Sequence, residues 1–122
     1  MDRQTSATLR VCILYQDGEY LAQCVDYDIS AAGQTVDLAL DEFVRTYMKF
    51  CLVAHELGVE PLADVPPAPM EYLERWRRDT QNGRRGVRRR DIPAFEIVRQ
   101  DRHTSEARFG RLEASLPLDF AA

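Results

Sequence analysis

Glu19, Asp26, Asp28 and Asp37 bring four carboxylates into a short stretch of this chain. Acids gathered this way could hold divalent cations or perform acid/base work. A two-metal hydrolytic centre needs several carboxylates converging on ions about 4 Å apart, each carried on a rigid element. Asp26 and Asp28, two residues apart, fall on the same side of any extended segment. Glu19 follows a turn and Asp37 belongs to the first turn of an expected helix, where the helix dipole already favours a negative charge. No converging partner can be named for the other two, so turn or rim positions stand beside metal ligation as readings of Asp26 and Asp28. The expectation is no catalytic residue, no metal and no cofactor.

Other reactive side chains offer less. Cys12, Cys24 and Cys51 are odd in number, lack CxxC spacing and sit in apolar segments, which suits buried thiols in a reducing compartment. His55 falls near the end of an expected helix, as a capping or surface residue, and His103 in a polar stretch. The arginines are denser. Eight lie in the window 75–90: Arg75, Arg77, Arg78, Arg84, Arg85, Arg88, Arg89 and Arg90. Clustered guanidiniums bind phosphates by bidentate hydrogen bonds and counterion release. The same run could instead be solvated, lie against acids of this chain, or meet an acidic protein. Trp76 could stack on a base, or pack in a helical stripe.

The elements that must position these groups are legible in the first half. "TLRVCILYQ" is rich in β-branched and aliphatic residues, and Asp17-Gly18 after it supports a two-residue hairpin. Pairing Gln16 with Glu19 sets Tyr15 against Tyr20, Ile13 against Ala22 and Val11 against Cys24 on the core side. Cys12 and Cys24 then point to opposite faces, so no disulfide joins them. "ISAAG" is a short third strand. Thr35 is a good N-cap, and Val36, Leu40, Phe43, Val44, Tyr47, Cys51 and Ala54 mark one helical face ending at Leu57-Gly58. The expected core is Val11, Ile13, Tyr15, Tyr20, Ala22, Leu40, Phe43, Val44 and Tyr47. A short fourth strand is placed at 58–62. "PMEYLERWRRD" is a second helix opened by Pro69, with Tyr72, Leu73 and Trp76 as its stripe and Asn82-Gly83 as its stop. "IPAFEIVRQ" and "ARFGRLEASLPL" are a weak candidate hairpin.

Charge divides the 122 residues. Residues 1–74 carry 13 acids and 4 bases, whereas residues 75–122 carry 7 acids and 12 bases. That asymmetry reads as an acidic α+β domain over 1–62, a proline-rich linker with a short helix over 63–83, and an Arg-rich extension over 84–122. The start of the chain lacks a signal-peptide core, and the main apolar stretch is broken by Asp41, Glu42, Arg45 and Lys49, so a cytoplasmic protein without a membrane partner is expected.

The order of these motifs resembles the HicB-like family. A hairpin strand "DGEYLAQC", then "ISAAGQT", then an amphipathic helix puts Asp17, Gly18, Tyr20, Ala22, Gly33, Gln34 and Thr35 at the family's pattern positions, over residues 8–60. Tyr27-Asp28-Ile29 stands where many members have Leu-Pro-Gly, closer to the solitary HicB-like branch. No ribbon-helix-helix or helix-turn-helix segment follows. The resemblance implies a small antiparallel sheet of β-β-β-α-β order, partly ribonuclease H-like. It also implies a non-enzymatic binding protein, the antitoxin of a type II toxin-antitoxin pair that occludes an mRNA-cleaving HicA-like toxin. Open sheet edges add a homodimer or higher oligomer. The alternative is a nucleic-acid-binding regulator, and Arg84, Arg85, Arg88, Arg89 and Arg90 are the candidate contacts for nucleic acid or an acidic partner.

Overall fold

In a computed structural model of the chain, the residues described are 7–81, 86–93, 96–99, 102–105 and 109–117. Strand β1 (Thr8–Gln16) turns at Asp17-Gly18 into β2 (Glu19–Cys24), and β3 (Ser30–Gly33) follows. Both turn residues have positive φ, 53° and 83°, as a type I′ hairpin requires. The register is the expected one, Gln16 to Glu19 through Val11 to Cys24, and β3 adds antiparallel to β2.

Helix α1 (Val36–Leu57) begins where Thr35 accepts a hydrogen bond from the Leu38 N–H at 3.0 Å, with Asp37 in its first turn. It stops at Gly58, which takes φ 72° and donates to the carbonyls of Ala54 and His55. Its face of Val36, Ala39, Leu40, Phe43, Tyr47, Cys51 and Ala54 is buried. Against it stand alternate residues of the sheet: Leu9, Val11 and Ile13 of β1, and Ala22 and Cys24 of β2. Each large aliphatic or aromatic side chain so buried contributes about 1.5–3 kcal/mol.

The second half departs from expectation. The sheet is five-stranded and mixed, in the order β3-β2-β1-β7-β4, not a small antiparallel one. No strand forms at 58–62. Residues 61–64 turn instead, and Leu62, at φ 67°, buries its side chain in the core. The place beside β1 is taken by β7 (Arg111–Ser115), which runs parallel to it and delivers Leu112 and Ala114 to the α1 face. Part of the arginine run, expected as an extension, is strand β4 (Val87–Asp91), antiparallel to β7. The proposed hairpin is also re-partnered: β5 (Glu96–Arg99) pairs with β6 (Arg102–Ser105), while β7 joins the large sheet. Parallel pairing with β1 wins because it buries Leu112 and Ala114 against a face already covered by α1.

Helix α2 (Met70–Thr80) lies on the opposite face of the sheet, where the Cys12 thiol donates to the Tyr72 carbonyl at 3.2 Å. Tyr72, Leu73 and Trp76 are only half-buried, and Asp79 is the one fully buried residue of the helix. The proline-rich segment before α2 is tied to the β2–β3 turn: the Asp28 N–H donates to the Pro66 carbonyl at 2.7 Å, and the Ala68 N–H to Val25 at 3.2 Å. Of the expected core, Val11, Ile13, Ala22, Leu40, Phe43 and Tyr47 are buried, and Tyr20 and Val44 pack at its margin. Tyr15 is a correction. It lies exposed at the hairpin tip and packs at a tilt against Tyr20, ring centroids 4.9 Å apart and planes at 58°.

Candidate partner-binding groove

The carboxylates do not converge. Asp26 grips Arg10 from three directions, accepting from its backbone N–H at 3.0 Å, from Nε at 3.1 Å and from Nη2 at 2.6 Å. The hydrogen bond that Arg10 donates to Asp26 raises the Arg10 pKa above its already high ordinary value. Asp28 accepts from Gln23 Nε2 at 3.0 Å, which orients a side chain buried at the edge of the turn. Glu19 is exposed on the hairpin. Among the described residues no three His, Cys, Asp or Glu side chains are grouped to hold a metal ion. Cys12, Cys24 and Cys51 are all buried, and none forms a disulfide. Burial raises the Cys12 pKa and pushes that of Cys24 up to about 11.

The arginines divide by strand parity. Arg88 and Arg90 of β4 sit opposite Ala114 and Leu112, hence on the α1 side, and Arg89 sits opposite Glu113 on the other. Arg88 Nη1 lies 3.0 Å from Asp37 Oδ1, and Arg90 bonds Asp41 while lying 3.5 Å from Asp37. Arg89 Nε donates to Glu113 at 2.9 Å. Each of these three guanidiniums therefore meets a carboxylate of its own chain, which offsets part of the positive charge of the run. Arg84 and Arg85 lie outside the described residues, as does the expected Asn82-Gly83 stop. The side chain of His103 lies outside them too, though its backbone is in β6. His55 stands half-buried in the last turn of α1, where its position beside the helix C-terminus is the expected one.

Beyond the ion pairs, α1 and β4 leave an open groove of about 340 Å³ between them. Val44 and Met48 of α1 and Pro93 after β4 supply its apolar part, and Asp41, Arg45, Arg90 and Asp91 its charged part. Leu52, one further turn along the Val44–Met48 line, is an exposed large apolar side chain. Among the described residues strand β4 pairs with β7 alone, and its other edge runs beside the groove. An apolar trough, charged groups of both signs and a strand edge are what an extended polypeptide segment can use. Sequence reading picked out Arg90 here and missed Val44, Met48 and Pro93 as a set. The i, i+4 series Val44, Met48, Leu52, off the axis of the core stripe, was the available signal.

A second polar feature was also missed. Asp79, 3% exposed, has its carboxylate 3.6 Å from Nε of both Arg75 and Arg78, too far for a hydrogen bond. Among the described residues Asp79 Oδ2 and Arg75 Nε find no hydrogen-bond partner. The signal was Asp79 continuing the Tyr72–Trp76 stripe at the next helical step.

No family model matches the chain, and neither a curated protein nor a solved structure matches it.

Proposed function

We propose that this chain is a HicB-like binding protein, an antitoxin that acts by holding a protein partner rather than by chemistry of its own. The observation that carries the reading is the groove between α1 and β4, with its apolar part, mixed charge and adjoining strand edge. The first half supports it. The Asp17-Gly18 hairpin, the small third strand, Gly33 and the Thr35-capped helix follow one another in the order the family resemblance implies. A sheet order of 3-2-1 continued by a strand parallel to β1 is also what a partial ribonuclease H-like fold would present. The partner in this reading is a HicA-like, mRNA-cleaving toxin, one of whose segments lies in the groove beside β4 and whose active site is thereby covered.

The test is co-expression with the product of any small toxin-like gene beside this one. The two proteins should co-purify, and a stoichiometric amount of this chain should stop RNA cleavage by the partner. Met48→Glu should abolish both effects; because Met48 also packs at the margin of the core, its circular dichroism and melting curve are recorded beside those of the native protein. Co-purification and inhibition unchanged by Met48→Glu would overturn the groove as the site. The alternative, nucleic-acid binding through 84–90, predicts salt-sensitive RNA or DNA binding lost when Arg84, Arg85, Arg88, Arg89 and Arg90 become Ser. The internal ion pairs of Arg88, Arg89 and Arg90 lend that reading less support.

A further inference from the structure

The flank of α1 away from β4 carries a second apolar line. A Cβ at Gly33 of β3 would meet Ala39, which places Ala39 on the β3 side of the helix. Thr46, Phe50 and Leu57, at 7, 11 and 18 residues beyond Ala39, fall on that same line of a helix with 3.6 residues per turn, and Val53 lies beside it. Phe50 is 39% exposed, Val53 55% and Leu57 70%, each a large apolar side chain facing water. Their spacing, Thr46-Phe50-Val53-Leu57, alternates steps of four and three, the seam of a two-helix packing. The residues that pack α1 on its own sheet, Tyr47 and Ala54, stand on the other side of this line.

The seam is bordered by opposite charges. Lys49 precedes Phe50, and Glu56 precedes Leu57, one heptad later. Two copies of α1 laid antiparallel about a two-fold axis midway between Phe50 and Val53 bring Phe50 of each onto Val53 of the other, and Thr46 onto Leu57. In that arrangement Lys49 of each copy borders Glu56 of the other, so the pairing complements its own charge twice. A parallel arrangement would instead set the Lys49 flank of each helix against the opposite flank of the other, beside Ala54, and give neither Lys49 nor Glu56 a counter-charge across the seam. The charge pattern therefore selects a second copy of this chain, in one orientation.

We propose that the Phe50–Val53–Leu57 flank of α1 is a self-association surface, on which two copies of this protein pair antiparallel with Lys49 facing Glu56 across the two-fold. The contact is short, so the dimer is a weak one, forming in the micromolar range. It lies on the opposite flank of α1 from the groove beside β4, and the dimer leaves that groove open.

Sedimentation velocity on the full chain, across a range of concentrations spanning the micromolar, tests it. The native protein should pass from monomer to dimer, and Val53→Asp should stay monomeric at every concentration. Val53 is more than half exposed, so that variant should keep its circular dichroism spectrum and melting curve. Lys49→Glu alone and Glu56→Lys alone should each weaken association about tenfold, and the double exchange Lys49→Glu/Glu56→Lys should restore it. A native protein monomeric throughout, a dimer untouched by Val53→Asp, or a double exchange no better than the single ones would overturn the proposal. Met48→Glu should leave the dimer intact, so failure of this surface and failure of the groove are separate results.

Discussion

Gly33 is the residue on which the seating of α1 depends most sharply. A Cβ built there would lie 2.5 Å from the Ala39 nitrogen, 2.7 Å from the Leu38 carbonyl carbon and 2.9 Å from the Ala39 Cα. All three are backbone atoms of the first turns of α1, so no side-chain rotation relieves the clash. Gly33→Ala must lift the start of the helix off β3 by a few tenths of an ångström to an ångström. Overpacking of that kind costs about 1–3 kcal/mol, and backbone contacts put this case at the upper end. The loss of chain entropy in the unfolded state offsets about 0.4–1 kcal/mol. A net loss of about 2 kcal/mol should lower Tm by roughly 6–12 °C. Gly18→Ala is the control, because it has φ 83° and nothing within 4 Å of the new Cβ, so its cost is conformational strain of about 1 kcal/mol. Urea titration of both variants decides the matter. Coupling with Thr35→Ala sharpens it: a displaced helix start has already weakened the Thr35 cap, worth about 1 kcal/mol, so the double variant should lose less than the sum. A Gly33→Ala protein as stable as Gly18→Ala, or additive with Thr35→Ala, would refute the close approach of β3 and α1.

Three further outcomes follow from the contacts. Asp26→Asn weakens a charge-assisted grip on Arg10 made through three donors, and should cost about 1.5–3 kcal/mol in urea titration. Arg90→Ser should cost no more than about 1 kcal/mol, with the loss shrinking in 1 M salt, because its pairs with Asp37 and Asp41 border solvent. The Cys24 pKa is raised from 9.0 to about 11, so the folded state keeps the proton that the unfolded chain releases above pH 9. Its contribution is full below pH 9 and is lost progressively between pH 9 and 11, a fall of about 2–3 kcal/mol that Cys24→Ala should not show in denaturant titrations at pH 8 and pH 10.5.

The first half of the chain was legible because its determinants are local. Asp17-Gly18 dictates positive φ in two adjacent residues, Thr35 caps three residues ahead, and Gly58 ends the helix by its own left-handed geometry. Register then follows from the turn, and Val11, Ile13 and Ala22 follow from the register. The partner of β1 on its other side was not legible. Nearly a hundred residues separate β1 from β7, and "RLEAS" shows only two apolar residues, Leu112 and Ala114, on the buried parity. Its other side carries Glu113, which belongs there because Arg89 lies opposite on β4. Strand β4 was harder still. "VRRRD" has no apolar alternation at all, so a period-two hydrophobic signal could not reveal it.

What seats β4 is a matching of charge spacings. Asp37 and Asp41 are one helical turn apart on α1, a rise of about 6 Å. Arg88 and Arg90 are one pleat repeat apart on β4, a rise of about 6.6 Å. Two carboxylates on a helix thus meet two guanidiniums on a strand in step, Arg88 to Asp37 and Arg90 to Asp41. A slip of one residue along β4 would turn both guanidiniums to the opposite face of the sheet. Each pair is exposed enough to add little stability, so its value lies in register rather than in strength. The contrast between an acidic first half and a basic second half therefore has an internal use. At least three of the arginines that look like a phosphate-binding run instead join β4 to the rest of the fold. They also hold β4 beside α1 where the groove lies, so Asp41 and Arg90 both pair with each other and line the groove.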